Sequence, residues 1–175
     1  MADQDFPAAS KKGLVAWCLY DWANSAFPTV VITFVFAAYF TQGVAVDVVT
    51  GTAQWGWAMS ISALAVGLLA PILGSIADKG GRRKPWLLTF TVLTIIASAF
   101  LWLVKPDASF VMLALVLAGF GNFAFEMGMV FYNSMLPDIA PKEKIGRWSG
   151  WGWGLGYIGG LVCLALTLVG FVQTD

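Results

Sequence analysis

Two carboxylates lie inside long apolar stretches of the sequence, where ionisable side chains are uncommon. Asp21 interrupts the stretch LVAWCLYDWANSAFPTVV, and Glu126 interrupts VLAGFGNFAFEMGMVF. An ionised carboxylate at the depth of a bilayer is energetically costly, so it is retained where it faces a water-filled cavity or a partner. A carboxylate in such a place can take up and release a proton, or bind an amine. The two acids therefore indicate a pathway for a proton or for a polar substrate.

Amide side chains continue the polar character around both acids. Asn24 follows Asp21 by three residues, a spacing that shares one face of a helix. Asn122 and Asn133 lie four residues before and seven after Glu126, again on one helical face. We predict that all five residues line a substrate or proton pathway. Two alternatives stay open: Glu126 only joins helices through buried hydrogen bonds, or Asp21 is merely solvated at the membrane interface.

The sequence offers few residues for catalysis, metal binding or nucleic-acid binding. The 175 residues include no histidine, which excludes histidine-based catalysis and histidine metal ligands within this sequence. The two cysteines, Cys18 and Cys163, lie in separate apolar stretches and have no metal-binding spacing. The net charge of zero disfavours nucleic-acid binding. We expect a protein that is not an enzyme, binds no nucleic acid, and uses neither a metal nor a cofactor.

The elements that carry these groups are predicted to be membrane helices. Hydrophobic residues make up 59% of the chain and charged residues 11%, against roughly 25% charged residues in soluble domains. We predict an all-α membrane protein, a multi-span helical bundle over residues 15–175 that follows a cytoplasmic tail of residues 1–14. The stretches that reach the about 20 residues needed to cross a bilayer are residues 15–41, 54–77, 86–104, 110–136 and 148–172.

The basic residues predict the orientation of these spans. Nine of the ten lysines and arginines fall before the first span, between the second and third, or between the fourth and fifth. Lys105 alone falls on the other side. The positive-inside rule then places the N-terminus in the cytoplasm. Because the sequence begins without a recognisable targeting segment, we expect a bacterial inner membrane, or a vacuolar membrane if the source is eukaryotic.

A short loop between the second and third predicted spans has the sequence GSIADKGGRRKPW. Asp78 ends a helix there, where the helix dipole disfavours an anion, so we expect it to pair with nearby bases. Gly80 and Gly81 permit a tight reversal of the chain. The loop resembles the motif G-x-x-x-D-x-x-G-[RK]-[RK] of the major facilitator superfamily. The matching positions are Gly74, Asp78, Gly81, Arg82 and Arg83.

This resemblance implies a transporter of twelve spans in two six-helix halves. The five predicted spans would then belong to the N-terminal half, with the C-terminal half as a missing partner. In the family, the loop motif helps to hold the cytoplasmic side closed, so we expect it to act as a cytoplasmic gate here. The family's fourth-helix motif R-x-x-Q-G has no counterpart in this sequence, and its fifth-helix antiporter motif is only echoed.

Three further stretches resemble one branch of the superfamily: YDWANSAFPTVVITFVFAAYF, FYNSMLPDIAP and GRWSGWGWGLGYIGG. That branch contains the autophagy-related vacuolar amino-acid effluxers and bacterial relatives labelled as an unknown major facilitator family. The resemblance implies export of amino acids. In the third stretch, Gly152, Gly156 and Gly160 repeat every four residues, a spacing that lets helix backbones approach closely. We therefore predict that these glycines serve helix packing.

Together these observations favour a secondary active transporter that moves a small polar solute through a lipid membrane. Amino-acid efflux and coupling to protons are the favoured details. The alternative is a truncated or non-transporting membrane scaffold, because five spans are one short of a six-helix half.

Overall fold

A computed structural model describes residues 11–172, with side chains up to Gly170. Residues 1–10, most of the predicted tail, lie outside that range, as do residues 173–175. The regular structure between residues 11 and 172 is entirely helical, as expected in a bilayer, where each backbone polar group must find its partner within the chain. Five helices are long and apolar enough to cross a membrane, which confirms the predicted all-α membrane fold. They are Lys11–Val44, Val48–Gly80, Arg83–Leu103, Ala108–Ile139 and Lys142–Gly170.

The first span is built from several helical segments. It begins with α1 (Lys11–Asn24), and α2 (Val35–Tyr39) lies between two π-helical segments, Pro28–Phe34 and Phe40–Val44. Pro28 has no backbone N–H to donate, which favours a change of hydrogen-bonding pattern at this point. The hydroxyl of Thr33 donates to the carbonyl oxygen of Pro28 at 2.9 Å, a side-chain bond within the wider turn.

The other four spans are more regular. Their α-helical parts are α3 (Val48–Gly80), α4 (Arg83–Phe100), α5 (Val111–Ile139) and α6 (Ile145–Thr167). Short 3₁₀ turns precede α5 and α6 and follow α4. Both α3 and α5 continue through an internal proline.

Two aspartates order the short loops that precede α3 and α5. Asp47 accepts hydrogen bonds from the backbone N–H of Thr50 at 2.9 Å and from its hydroxyl at 2.6 Å, and so caps α3. The bonds from Thr50, led by the hydroxyl bond, hold the pKa of Asp47 below its usual value. Asp107 accepts from the backbone N–H of Ser109 at 2.8 Å. Its bonds with Ser109 likewise lower the pKa of Asp107.

The chain forms two compact units, described in turn. The unit of residues 27–131 contains α2, α3, α4 and most of α5. One of its buried clusters consists of Phe40, Val44, Leu101, Val104 and Ala114. The other consists of Ala77, Phe90, Ala124, Met127 and Phe131. Stacked aromatic rings join the helices of the second cluster: the Phe131 ring lies 5.7 Å from that of Trp86 and 5.8 Å from that of Phe90.

The unit of residues 11–26 with 132–172 is organised by the contact between α1 and α6. Gly152, Gly156 and Gly159 on α6 are buried and face α1. The backbone carbonyl oxygen of Trp22 lies where a side chain at position 159 would begin. Gly160, one of the glycines predicted to serve packing, is also buried. The two helices therefore approach so closely that several positions of α6 have no room for a Cβ atom.

Candidate functional site

The loop between α3 and α4 is a tight reversal closed by an ion pair. Gly81 follows α3 with φ +60°, a left-handed conformation that suits glycine, and its N–H donates to the carbonyl oxygen of Asp78 at 3.2 Å. Arg83, the first residue of α4, contacts Asp78 Oδ1 with Nη2 at 2.8 Å and with Nε at 2.9 Å. The structure therefore supplies the expected compensating base, and that base is Arg83.

The two remaining motif residues have different surroundings. Arg82 occupies the position before α4 with φ −128° and ψ 78°, and its neighbour Arg83 is the one that binds Asp78. A Cβ atom added at Gly74 would meet no described atom within 4 Å. Nothing in the packing of this unit therefore requires glycine at position 74.

Glu126 is an exposed carboxylate near the middle of a membrane span. It lies 18 residues after Ala108 and 13 before Ile139, the ends of the fourth span. Its side chain is exposed, and it makes no hydrogen bond or ion pair with any residue of the described range. Among the described residues, no hydrogen bond of Glu126 joins two helices, as the first alternative considered from the sequence would require.

Asn122, one turn before Glu126 on α5, does join two helices. Its Nδ2 donates to the hydroxyl of Ser62 on α3 at 3.0 Å, and Ser62 is only 4% exposed. Beside this bond lies a groove of about 650 Å³ between α3 and α5. Its lining is almost entirely apolar and includes Trp57, Leu69, Met112 and Phe123.

Asp21 is enclosed in the contact between α1 and α6. It is 6% exposed, so the second alternative, a carboxylate solvated at the membrane interface, does not hold. Its Oδ2 and the Ser25 hydroxyl oxygen each lie 2.8 Å from the point where a Cβ atom at Gly156 would stand. The Ser25 hydroxyl donates to the backbone carbonyl oxygen of Asp21 at 2.8 Å. Asn24, the last residue of α1, is half-buried.

A stack of aromatic rings lies beside Asp21, and the sequence reasoning missed it. The Trp17 and Tyr132 rings are parallel within 6° with centroids 4.2 Å apart, and Tyr20 lies 5.3 Å from Tyr132. The Tyr132 hydroxyl is fully buried and has no hydrogen-bond partner among the residues that the structure describes. The sequence did contain a signal for this contact. Large rings on one helix need small residues on the facing helix, and Gly152 leaves the space for them. The adjacent Asn133, which was predicted as a site residue, is exposed.

The predicted site residues therefore lie in two different environments, one in each unit. In the unit of residues 27–131, the Glu126 carboxylate is exposed. In the other unit, Asp21 and Tyr132 are buried polar groups. No group of three His, Cys, Asp or Glu residues able to hold a metal occurs between residues 11 and 172.

Comparisons with known proteins identify the family. The family model described as Major Facilitator Superfamily matches residues 5–164. The "Uncharacterized MFS-type transporter YxiO" of Bacillus subtilis is 33% identical over 166 residues, which cover 91% of this chain and 38% of that protein. An "Uncharacterized protein" of Aquifex aeolicus is 28% identical over 150 residues, covering 86% and 36%. The "Riboflavin transporter RibZ" of Clostridioides difficile is 26% identical over 118 residues, covering 67% and 25%.

The matched region is therefore little more than a third of the length of the first two relatives. No solved structure gives a significant match to the chain. The family match extends over nearly all of the sequence and agrees with the five apolar spans and with the loop closed by Asp78 and Arg83. This chain belongs to the major facilitator superfamily.

Proposed function

We propose that the chain is part of the N-terminal half of a secondary active transporter that moves a small polar solute in exchange for, or together with, protons. Residues 15–175 supply five spans of that half, and a second half of the same family completes the pathway. Amino-acid efflux is the substrate class that we favour, because three stretches of the sequence resemble the branch of amino-acid effluxers and its bacterial relatives. The riboflavin transporter, a more distant relative, does not alter this choice.

The observation that carries the proposal is the exposed carboxylate of Glu126 at mid-span. An ionisable side chain at this depth is tolerated where water, a ligand or another helix meets it. Glu126 has no such partner in the described residues, and we propose that water and the solute in the transport pathway meet it. A carboxylate there can receive the amine of an amino acid or exchange a proton.

The loop between α3 and α4 supports a gating role. Its ion pair is exposed on the Asp78 side, where 59% of the side chain is accessible, so the acid is available to a further helix dipole or base. We propose that Asp78 and Arg83 together act as the cytoplasmic gate. With the N-terminus in the cytoplasm, this loop lies on the cytoplasmic side of a bacterial inner membrane.

The test uses the full-length protein in liposomes. Radiolabelled L-leucine, L-lysine and L-glutamate are offered in turn, with and without an imposed pH gradient. We expect at least one of them to accumulate faster with the gradient, and Glu126→Gln to remove that acceleration. The matched control is Glu143→Gln, which removes an exposed carboxylate from the turn before α6. Uptake by Glu126→Gln with an unchanged response to the gradient would remove Glu126 from the mechanism.

A further inference from the structure

The helices α1 and α6 run in the same direction through their unit. Trp17 on α1 lies against Gly152 on α6, and Asp21, about one turn later, lies against Gly156. Because both helices advance by the same number of residues between these two contacts, they are parallel. The beginnings of α1 and α6 are distant in the sequence, and they therefore lie at the same end of the helix pair.

The shared end of α1 and α6 carries a group of exposed basic side chains, which we call the basic rim. The basic rim consists of Lys11, Lys12, Lys142, Lys144 and Arg147. Lys12 and Arg147 are level with each other, because each lies five residues before its helix reaches the first of the two contacts. Residues 11–16 and 138–148 contain two acids, Asp138 and Glu143, and neither helix has an acid in its first turn. The rim therefore carries an excess of positive charge.

The basic rim has no anionic partner within the part of the chain that the structure describes. None of its bases forms an ion pair or a side-chain hydrogen bond with a described residue. The loop between α3 and α4 differs, because Arg83 is paired with Asp78 there. Like charges that gather at one end of a helix pair repel each other, so a partner that brings negative charge would stabilise this end.

Exposed apolar side chains follow the bases on the same helical faces. Val15 comes three residues after Lys12, and Trp151 comes four residues after Arg147, spacings that share one face of a helix. Val15 is 50% exposed and Trp151 is 57% exposed, and tryptophan is enriched where a membrane meets water. The order of a base followed by apolar surface matches a phospholipid, in which acyl chains follow a charged headgroup. A free anion would use the bases and leave the apolar surface uncovered.

We propose that the basic rim binds the headgroups of anionic phospholipids, whose acyl chains lie along the exposed faces of α1 and α6. In the orientation proposed above, the rim lies at the cytoplasmic leaflet, where anionic lipids attract bases next to a membrane span. The positive-inside rule needs only bases in each cytoplasmic loop. The parallel packing of α1 and α6 adds a surface to which two of these loops contribute together. Binding there requires the membrane fold and does not depend on which solute is moved.

Native mass spectrometry of the full-length protein in an uncharged detergent tests this proposal by counting bound lipids. Phosphatidylglycerol, which has a net negative charge, and phosphatidylcholine, which has no net charge, are added separately with the same acyl chains. We expect phosphatidylglycerol to bind more tightly. Lys12→Gln/Lys144→Gln should weaken its binding about 25-fold, from about fivefold for each base near an anionic surface. The same variant should leave the binding of phosphatidylcholine unchanged.

The matched control is Lys79→Gln/Lys84→Gln. It removes two exposed lysines from the loop between α3 and α4, and these also form no ion pair with a described residue. Its loss of phosphatidylglycerol binding should be clearly smaller. Without added lipid, both double variants should unfold at the wild-type temperature, because all four side chains are exposed. If the rim variant is unfolded, Arg147→Gln takes its place and should weaken binding about fivefold.

Equal affinity of the wild-type protein for the two lipids, or equal losses in the rim variant and the control, would overturn the proposal. Displacement of phosphatidylglycerol by the same concentration of inorganic phosphate would overturn it too, because the rim would then be a site for free anions. A gain of binding in Asp3→Asn/Asp5→Asn as large as the loss in the rim variant would make the acidic N-terminal residues the occupant instead. All of these results leave the proposed transport function standing, since none of them measures solute movement.

Discussion

The indole N–H of Trp17 donates a 3.0 Å hydrogen bond to the backbone carbonyl oxygen of Tyr132, and the rings of the same two residues stack 4.2 Å apart. One side chain on α1 thus holds both the backbone and the ring of a residue 115 positions later in the sequence. Both side chains are at most 5% exposed. The pair fixes the end of α5 against α1 and determines where the Tyr132 hydroxyl lies.

Replacing the indole of Trp17 with a phenyl ring separates the contribution of its hydrogen bond from that of its ring stacking. Trp17→Phe keeps an aromatic stack but loses the hydrogen bond, so we expect a loss of about 0.5–1.5 kcal/mol in the free energy of unfolding. Trp151→Phe is the matched control, because Trp151 is 57% exposed and should change stability little. Unfolding in mixed micelles, followed by tryptophan fluorescence and circular dichroism, measures both. Equal losses for the two variants would contradict the assigned role of Trp17.

The glycines of α6 differ in whether a methyl group can be tolerated. Gly159→Ala would place a Cβ atom against the carbonyl oxygen of Trp22, whereas Gly154→Ala would meet nothing within 4 Å. Overpacking of this kind costs about 1–3 kcal/mol, so Gly159→Ala should be clearly less stable and Gly154→Ala unchanged or slightly more stable. The same unfolding assay measures the difference. Comparable stability of the two alanine variants would show that α1 and α6 are not in close contact at Gly159.

The sequence predicted the five membrane helices because the length of an apolar stretch is a local property of the chain. The sequence could not predict which helix covers Asp21. Gly156 covers it only because α1 packs against α6, and that is a property of the tertiary structure. The same limit explains why Tyr132 was missed and Asn133 was chosen: adjacent residues on a helix point about 100° apart, and only tertiary packing decides which is buried. Gly159 was missed because a strict four-residue repeat pointed to Gly160.

The loop between α3 and α4 allows a test of pairing specificity. A double-mutant cycle with Asp78→Asn and Arg83→Gln should give a coupling of roughly 0.2–1 kcal/mol, the range for exposed ion pairs. The cycle with Arg82→Gln should give coupling near zero, because Arg83 is the base in contact with Asp78. Raising the salt concentration should weaken the first coupling. A larger coupling to Arg82 would mean that the ion pair has been assigned to the wrong arginine.

The cap of α3 should make stability depend on pH. Because folding lowers the pKa of Asp47, its ionised form stabilises the folded chain above the ordinary pKa of about 4. This contribution is lost as the pH falls through the lower, folded-state pKa. Wild type should therefore unfold at a higher temperature than Asp47→Asn at pH 7, and the gap should narrow towards pH 3. Thr50→Val, which lacks the donating hydroxyl, should also unfold at a lower temperature than wild type at pH 7. Its difference from wild type should shrink less towards pH 3 than that of Asp47→Asn. A gap that widens in acid would contradict this account.

The bond between Asn122 and Ser62 has a consequence for whatever occupies the neighbouring groove. With the amide N–H and the buried hydroxyl engaged with each other, the groove wall offers mostly hydrocarbon and aromatic surface. A molecule in the groove would then be held mainly by dispersion forces. The described residues that line this groove include no charged side chain, so a charged solute would find no ionic partner in its wall.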